Sequence, residues 1–202
     1  MSMLGTLGKI AVGVMVAKTV GKAMSGGGSI LGNILGGGSN SSQNSAPKGG
    51  NIGDLFNSLS GGNSGGIGDL LSNALQGKEV NANPTEEQKA EVLLNAMLNA
   101  AKADGVIDKQ EEEKLLKHIG EADAKEIEIV KNAIESPLDI DAFIKSVPNG
   151  MEQEVYLASL LAIDLDSQKE AEYLDRLAKG LNISRDTANL IHQKVGAPVL
   201  YS

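Results

Sequence analysis

The sequence predicts an all-α domain, a compact bundle of about seven helices, behind a Gly-rich N-terminal region of low complexity. Three observations predict it. The composition divides sharply near residue 80, with 20 of the 25 glycines before that point. From residue 83 onward, apolar runs at helical spacing are bounded by N-cap residues, Gly and Pro. No segment shows the strict apolar–polar alternation of a half-buried strand.

The elements follow in order. Asn83-Pro84-Thr85-Glu86 opens a helix, because Pro fits a first helical turn where its missing N–H has no partner to lose. This helix runs to about Ala103 and carries Val92, Leu93, Leu94, Ala96, Met97, Leu98, Ala100 and Ala101. It is apolar on nearly every side and is therefore expected at the centre of the bundle. Asp108-Lys109-Gln110-Glu111 reads as a capping box opening a helix that Gly120 ends. Asp123-Ala124-Lys125-Glu126 is a second box, for a helix ending near Glu135 before the Ser136-Pro137 break. Asp139 begins a short helix stopped before Pro148, and Asn149 is expected to cap a second central helix containing Val155, Tyr156, Leu157, Leu160, Leu161 and Ile163. Ser167-Gln168-Lys169-Glu170 is a further capping box, for a helix ending at Gly180. Ser184 starts the last helix, which ends near Gly196.

The organisation is therefore a segment of small residues and lysines at 1–24, a Gly/Ser/Asn-rich linker at 25–82, a helical domain at 83–196 and a tail at 197–202. In the first segment Gly5, Gly13, Ala17 and Gly21 recur at multiples of four residues, a pattern that lets helices approach closely. Lys9, Lys18 and Lys22 flank the apolar run Ile10 to Ala17 and suit lipid headgroups. That run is shorter than the roughly 20 residues a spanning helix needs. The segment reads as an interfacial or self-associating helix, with a flexible tail and a signal peptide as the competing readings. The linker carries Ile30-Leu31-Gly32-Asn33-Ile34-Leu35 and a repeated motif, Ile52-Gly53-Asp54-Leu55-Phe56 and Ile67-Gly68-Asp69-Leu70-Leu71. Gly-rich chains resist ordering, so this repeat reads first as transient helix in a tether and second as a weak docking segment.

Charge narrows the function classes. The net charge is −8, and it comes from the helical part, since the first 80 residues carry five lysines against Asp54, Asp69 and Glu79. An acidic domain with few aromatic residues lacks both the basic patches and the stacking platforms of nucleic-acid binding. The absence of cysteine excludes disulfides, thiolate metal sites and Cys nucleophiles. No P-loop or dinucleotide fingerprint is present. Ser159 has no Gly-x-Ser-x-Gly elbow around it. His118 and His192 fall on late helical turns, where positive charge suits the helix dipole, and read as solvated or capping residues. Tyr156 and Tyr173 read as core residues with hydroxyls near the surface.

The sharpest feature is a pair of acidic turns. Ala100-Ala101-Lys102-Ala103-Asp104-Gly105-Val106-Ile107-Asp108 is echoed by Leu160-Leu161-Ala162-Ile163-Asp164-Leu165-Asp166. In each, an apolar helix ends at an Asp, although negative charge is unfavourable at a helix C-terminus. A Glu follows each turn, Glu111 or Glu112 in the first and Glu170 in the second. Oxygen ligands in such number suit calcium or magnesium, although the spacing is not that of an EF-hand loop. The plainer reading is that Asp108 and Ser167 are N-caps and Glu111 and Glu170 their capping-box partners.

The residues 100–108, Ser136-Pro137-Leu138-Asp139, and Glu154-Val155-Tyr156-Leu157-Ala158-Ser159-Leu160-Leu161-Ala162-Ile163-Asp164-Leu165-Asp166 resemble a bacterial family of unknown function, the YebE type, within the TerB-like tellurite-resistance superfamily. Glu172-Tyr173-Leu174-Asp175 and Leu177-Ala178 fit the same pattern, which covers about residues 84–195. The resemblance implies a compact helical fold of two related halves and no known reaction. It links the acidic turns to divalent cations and to stress resistance, which makes Asp104, Asp108, Glu111, Asp164, Asp166 and Glu170 the metal candidates. The second copy departs from the Asp-Gly turn at Leu165, which weakens a symmetric two-site picture.

The expectation is a non-enzymatic helical module. It binds a divalent cation or a protein partner, or associates with itself, in envelope or metal stress. It lies in the cytoplasm, with residues 1–24 at the inner-membrane surface. A metal-dependent hydrolase using the acidic turns and a purely scaffolding domain are the alternatives.

Overall fold

A computed structural model describes residues 56–58, 68–70, 73, 84–103, 105, 124–163, 165 and 167–201. Among these the chain is all-α, as expected: α1 Pro84–Ala101, α2 Ala124–Glu135, α3 Ile140–Ser146, α4 Glu152–Leu161, α5 Gln168–Gly180 and α6 Arg185–Val195. Helical residues also occur at 56–58 and 68–70. The helix expected from Asp108 to Ile119 lies outside the described residues, as do residues 1–24.

The two apolar helices pair at the centre. α1 and α4 form the most extensive helix–helix contact. Leu93, Leu94 and Leu98 of α1 and Tyr156 and Leu157 of α4 are the largest fully buried side chains. α2 packs on α1, α5 on α3 and α4, and α6 on α4. The outer helices are amphipathic in sequence, so each presents an apolar stripe to the pair and a charged face outward. An exposed ion pair, Arg176 to Asp141 at 2.5 Å, links α5 to α3; such pairs contribute roughly 0.2–1 kcal/mol.

Helix ends show where local signals hold and where they do not. Asp139 caps α3, accepting the Ala142 N–H at 2.9 Å. Ser167 and Glu170 form the expected capping box of α5, and Ser184 caps α6 through the Thr187 N–H. Asn149 does not cap α4. The chain turns through Gly150, at φ 89°, and α4 starts after Met151, which offers no side-chain cap. The Glu152 carboxylate accepts the Gly150 N–H instead, at 2.9 and 3.0 Å.

Both C-termini of α5 and α6 are Schellman motifs, and only one uses glycine. After α6, Gly196 takes the left-handed conformation at φ 73°, and the Ala197 N–H reaches the His192 carbonyl at 2.9 Å. After α5 the left-handed residue is Asn182, at φ 55°, with the Ile183 N–H on the Ala178 carbonyl at 2.9 Å. Gly180 is still helical and serves a different purpose. A Cβ there would collide with the Ile144 side chain of α3. Gly180→Ala is therefore expected to destabilise the domain by about 1–3 kcal/mol, the usual cost of overpacking. A urea melt of the variant checks it, and a neutral result would show that Ile144 moves aside freely.

Candidate functional site

Two polar arrangements sit at the ends of the central helices and a third joins the middle of α4 to α6 and the C-terminal segment, and each includes a contact between residues far apart in sequence.

The first surrounds the α1 C-terminus. Lys102 is buried, and its Nζ donates to the carbonyls of Ala133 at 2.6 Å and Ser136 at 2.8 Å. Those carbonyls belong to the end of α2, where the helix leaves acceptors unsatisfied and its dipole favours a cation. Burial lowers the Lys102 pKa from its ordinary value. Lys102 thus ties the chain leaving α1 to the end of α2, two residues before Asp104. Sequence reading missed this role, because nothing local marks a lysine as the cap of another helix.

The second surrounds the α4 C-terminus. Ser159 Oγ donates to the Ala96 carbonyl at a long 3.4 Å, which places Ala96 of α1 beside Ser159 of α4. Ala96 stands five residues before the end of α1 at Ala101, and Ser159 two before the end of α4 at Leu161. At 1.5 Å rise per residue and the usual interaxial spacing, the two helix ends lie within about 15 Å of each other, whichever way the helices run. Leu165, between the acids of the second turn, adopts φ 49°, a left-handed conformation that is uncommon for a bulky side chain. Of the six metal candidates, Asp104, Asp108, Glu111, Asp164 and Asp166 lie outside the described residues. Glu170 is described and buried, and its carboxylate accepts from the N–H and the hydroxyl of Ser167, each at 3.2 Å. Among the described residues, no cluster of three or more acidic or histidine side chains suits a metal ion.

The third arrangement joins α4, α6 and the C-terminal segment. His192 and Tyr156 are both fully buried, and their ring centroids lie 5.8 Å apart. His192 Nδ1 is bonded to the Pro198 carbonyl, and Nε2 lies 2.9 Å from the Tyr156 hydroxyl. A carbonyl only accepts, so Nδ1 carries the proton and Tyr156 donates to Nε2. Burial lowers the His192 pKa, outweighing the opposite effect of the Pro198 carbonyl. Burial also raises the Tyr156 pKa, with Tyr201 and Asp175 adding to the shift. Both expectations from sequence are corrected here. His192 is neither solvated nor charged, and the Tyr156 hydroxyl points into the core. Tyr173 also has its hydroxyl buried, near Ser159 but without a hydrogen bond of ordinary geometry.

The tail beyond α6 runs, over 197–201, against α5 and α6. The Asn189 side chain pairs with the Tyr201 backbone in both directions, donating to its carbonyl at 2.7 Å and accepting its N–H at 3.1 Å. The Tyr201 hydroxyl donates to Asp175 at 3.0 Å, and the Arg185 guanidinium lies 5.2 Å from its ring centroid. The hydrogen bond from Lys179 is the main cause of a lowered Asp175 pKa. Burial, with the bond to Asp175, pushes the Tyr201 hydroxyl up to about 12. Asp175, Arg185 and Tyr201, with Gln168, Ala171, Glu172 and Leu200, line an open cleft of about 410 Å³.

The comparisons with known proteins come to bear on this architecture. The family model "Protein of unknown function (DUF533)" matches residues 5–195. The chain belongs to this family. The DUF533 match runs through the Gly-rich region as well as the helical domain, so both parts belong to the family pattern. The chain is also similar to an "uncharacterized protein in ampR 5′ region" of Yersinia enterocolitica, 31% identical over 112 residues, which are 54% of this chain and 81% of that protein. No solved structure matches the chain. Among the described residues, no helix is long and apolar enough to cross a membrane.

Proposed function

We propose that this DUF533 protein is a non-enzymatic binding module whose paired acidic turns take a divalent cation, calcium or magnesium. The supporting observation is the neighbourhood of the two central helix ends. The Ala96–Ser159 contact brings together the ends of α1 and α4, after which the two acidic turns follow in sequence, and Lys102 and the Ser167–Glu170 box are held on one side of each turn. A hard cation takes six to eight oxygens, more than one such turn offers. A binding role also accords with His192, whose two ring nitrogens are both engaged in the core. In this reading the protein is of the YebE type within the TerB-like superfamily, as residues 100–108 and 154–166 suggest. It acts in envelope or metal stress from the cytoplasmic face of the inner membrane, which residues 1–24 contact.

One observation favours a second reading. Glu170 already serves a capping box, so the acids could all be helix caps in a scaffold that binds a protein partner. Melting the metal-stripped full-length chain with millimolar calcium or magnesium separates the two. A ligand bound to the folded state alone stabilises by about 2.7 kcal/mol at a hundred times its Kd. The expected result is a rise in Tm that is lost in Asp104→Asn and Asp164→Asn. An unchanged Tm with either ion would reject the cation site and leave the scaffold.

A further inference from the structure

The His192 ring is sealed from water by a thin cover. It has no exposed surface, yet Pro198 and Val199, just beyond α6, are exposed. Pro198 therefore bonds the ring through its carbonyl on the inner side and meets water on the outer side. The rest of the segment is held by polar contacts of Tyr201 to the half-buried Asn189 and Asp175. The other edge of the ring has no such exit, because Nε2 takes the hydroxyl of the fully buried Tyr156. A second proton on the ring would turn Nε2 into a donor. The hydroxyl would then have to accept, and among the described residues it bonds His192 alone. The surrounding charges are directed elsewhere. Glu154, also buried on α4, stands two residues from Tyr156, about 200° round the helix. Asp175 of α5 is engaged by Lys179 and by the Tyr201 hydroxyl. On α6, Arg185 lies over the Tyr201 ring, and Lys194 turns to the segment that places Phe56 in the core, donating to Ser58 at 3.1 Å. Both ring nitrogens thus face neutral groups.

We propose that residues 197–201 are an acid-sensitive strap, which docks over a neutral His192 and is loosened, ahead of the helices beneath it, by a proton on that ring. Lifting the strap is the shortest route by which a charged ring reaches water, since freeing the other edge would part α6 from α4. The sign follows from linkage. Burial lowers the pKa of the docked ring below 6.5, and a ring opened to water returns to about 6.5. The open form therefore binds the proton more tightly. Docking is fully favoured above pH 6.5 and weakens below it until the docked pKa has been passed. Between pH 7.5 and 5.5 the open fraction should rise several-fold, with a ceiling of about tenfold. Leu200 and Tyr201 line the cleft beside α5, so loosening the strap also takes that cleft apart. The inference is independent of the cation reading, since none of its residues belongs to the acidic turns.

Amide hydrogen exchange of the full-length chain tests it, with rates converted to protection factors so that the intrinsic pH dependence of exchange drops out. The Tyr201 N–H, bonded to Asn189, reports on the strap, and the buried Leu157 of α4 reports on the bundle. Protection of Tyr201 should fall several-fold from pH 7.5 to 5.5, while Leu157 stays at least about tenfold better protected at both. In His192→Gln the Tyr201 protection should change by less than about twofold over that range. Equal protection of Tyr201 and Leu157 would overturn the proposal, because the strap would then open only with the whole domain. The same pH dependence in His192→Gln would overturn it too, by assigning the effect to Asp175 or another group. A second measurement stands even if His192→Gln does not fold. Coupling is reciprocal, so Asn189→Ala, which removes the anchor of Tyr201, should raise the His192 pKa read by NMR toward 6.5. An unmoved pKa in that variant would sink the coupling.

Discussion

Tyr156→Ala is expected to reduce the unfolding free energy by about 3–5 kcal/mol, the range for removing a large buried aromatic. That is a large share of the 5–15 kcal/mol typical of a domain. Tyr156 has no exposed surface and stands on α4, the helix against which both α1 and α6 pack. The informative contrast is Tyr156→Phe. It keeps the ring and removes only the hydroxyl that donates to His192 Nε2. A buried acceptor left without its donor costs about 1–3 kcal/mol, so Phe should fall clearly between Ala and the natural residue. Urea melts of the three proteins at pH 7.5 would show it. Equal stability of Phe and Tyr would mean that Nε2 finds another partner.

The same pair sets a pH dependence. The folded-state pKa of His192 lies below its ordinary 6.5 because the ring is buried. The unfolded chain therefore binds a proton first as the pH falls. The His192 contribution is intact above pH 6.5, declines below it, and stops declining once the lower folded pKa has been passed. His192→Gln should flatten the stability profile between pH 7 and 5 relative to the natural chain. An unchanged slope in that window would assign it to other groups.

The second large effect concerns the C-terminus. Truncation after Gly196 is expected to cost about 3–5 kcal/mol, summed over the hydrogen bonds lost and the buried His192 Nδ1 left unpaired. The segment contributes the Pro198 carbonyl to His192, the backbone pairing of Tyr201 with Asn189, and the Tyr201 hydroxyl to Asp175. Ala197 is itself buried and closes the α6 Schellman motif through its N–H. A Tm within a degree of the full-length chain would show that the segment adds nothing. Restoring residues 197–201 with Tyr201→Phe should recover most of the loss, because only the hydrogen bond to Asp175 is then missing.

How much was legible in advance differs by kind of feature. The central placement of α1 and α4 could be read from helices apolar on every side, since such a helix has no face to offer water. The Ser167 box, the Ser184 cap and the Asp139 cap were legible because a cap joins residues only two or three positions apart. Asn149 failed as a cap because Gly150, a neighbour free to take positive φ, moved the helix start onward. The end of α5 at Gly180 was legible, but it is the closeness of Ile144 that requires the glycine there. The Lys102 cap, the Tyr156–His192–Pro198 chain and the burial of Phe56 join elements up to more than a hundred residues apart. A local pattern carries no signal for them. Of the six acids chosen as metal candidates, Glu170 is placed in its capping box, and the other five await the cation titration.

The sequence by itself determined the all-α class, most helix boundaries and the identity of the two central helices, because these depend on periodicity, capping chemistry and the breaking power of Gly and Pro, all of which act within one or two turns. Only the tertiary structure decided that His192 is a neutral core residue, that the C-terminal segment is fastened to α5 and α6, and that a Gly-rich linker surrenders a phenylalanine to the core. Those outcomes depend on which surfaces meet. Desolvation turns a histidine expected to be charged into a buried acceptor, and apolar burial holds one anchor in a segment whose composition alone argues against order.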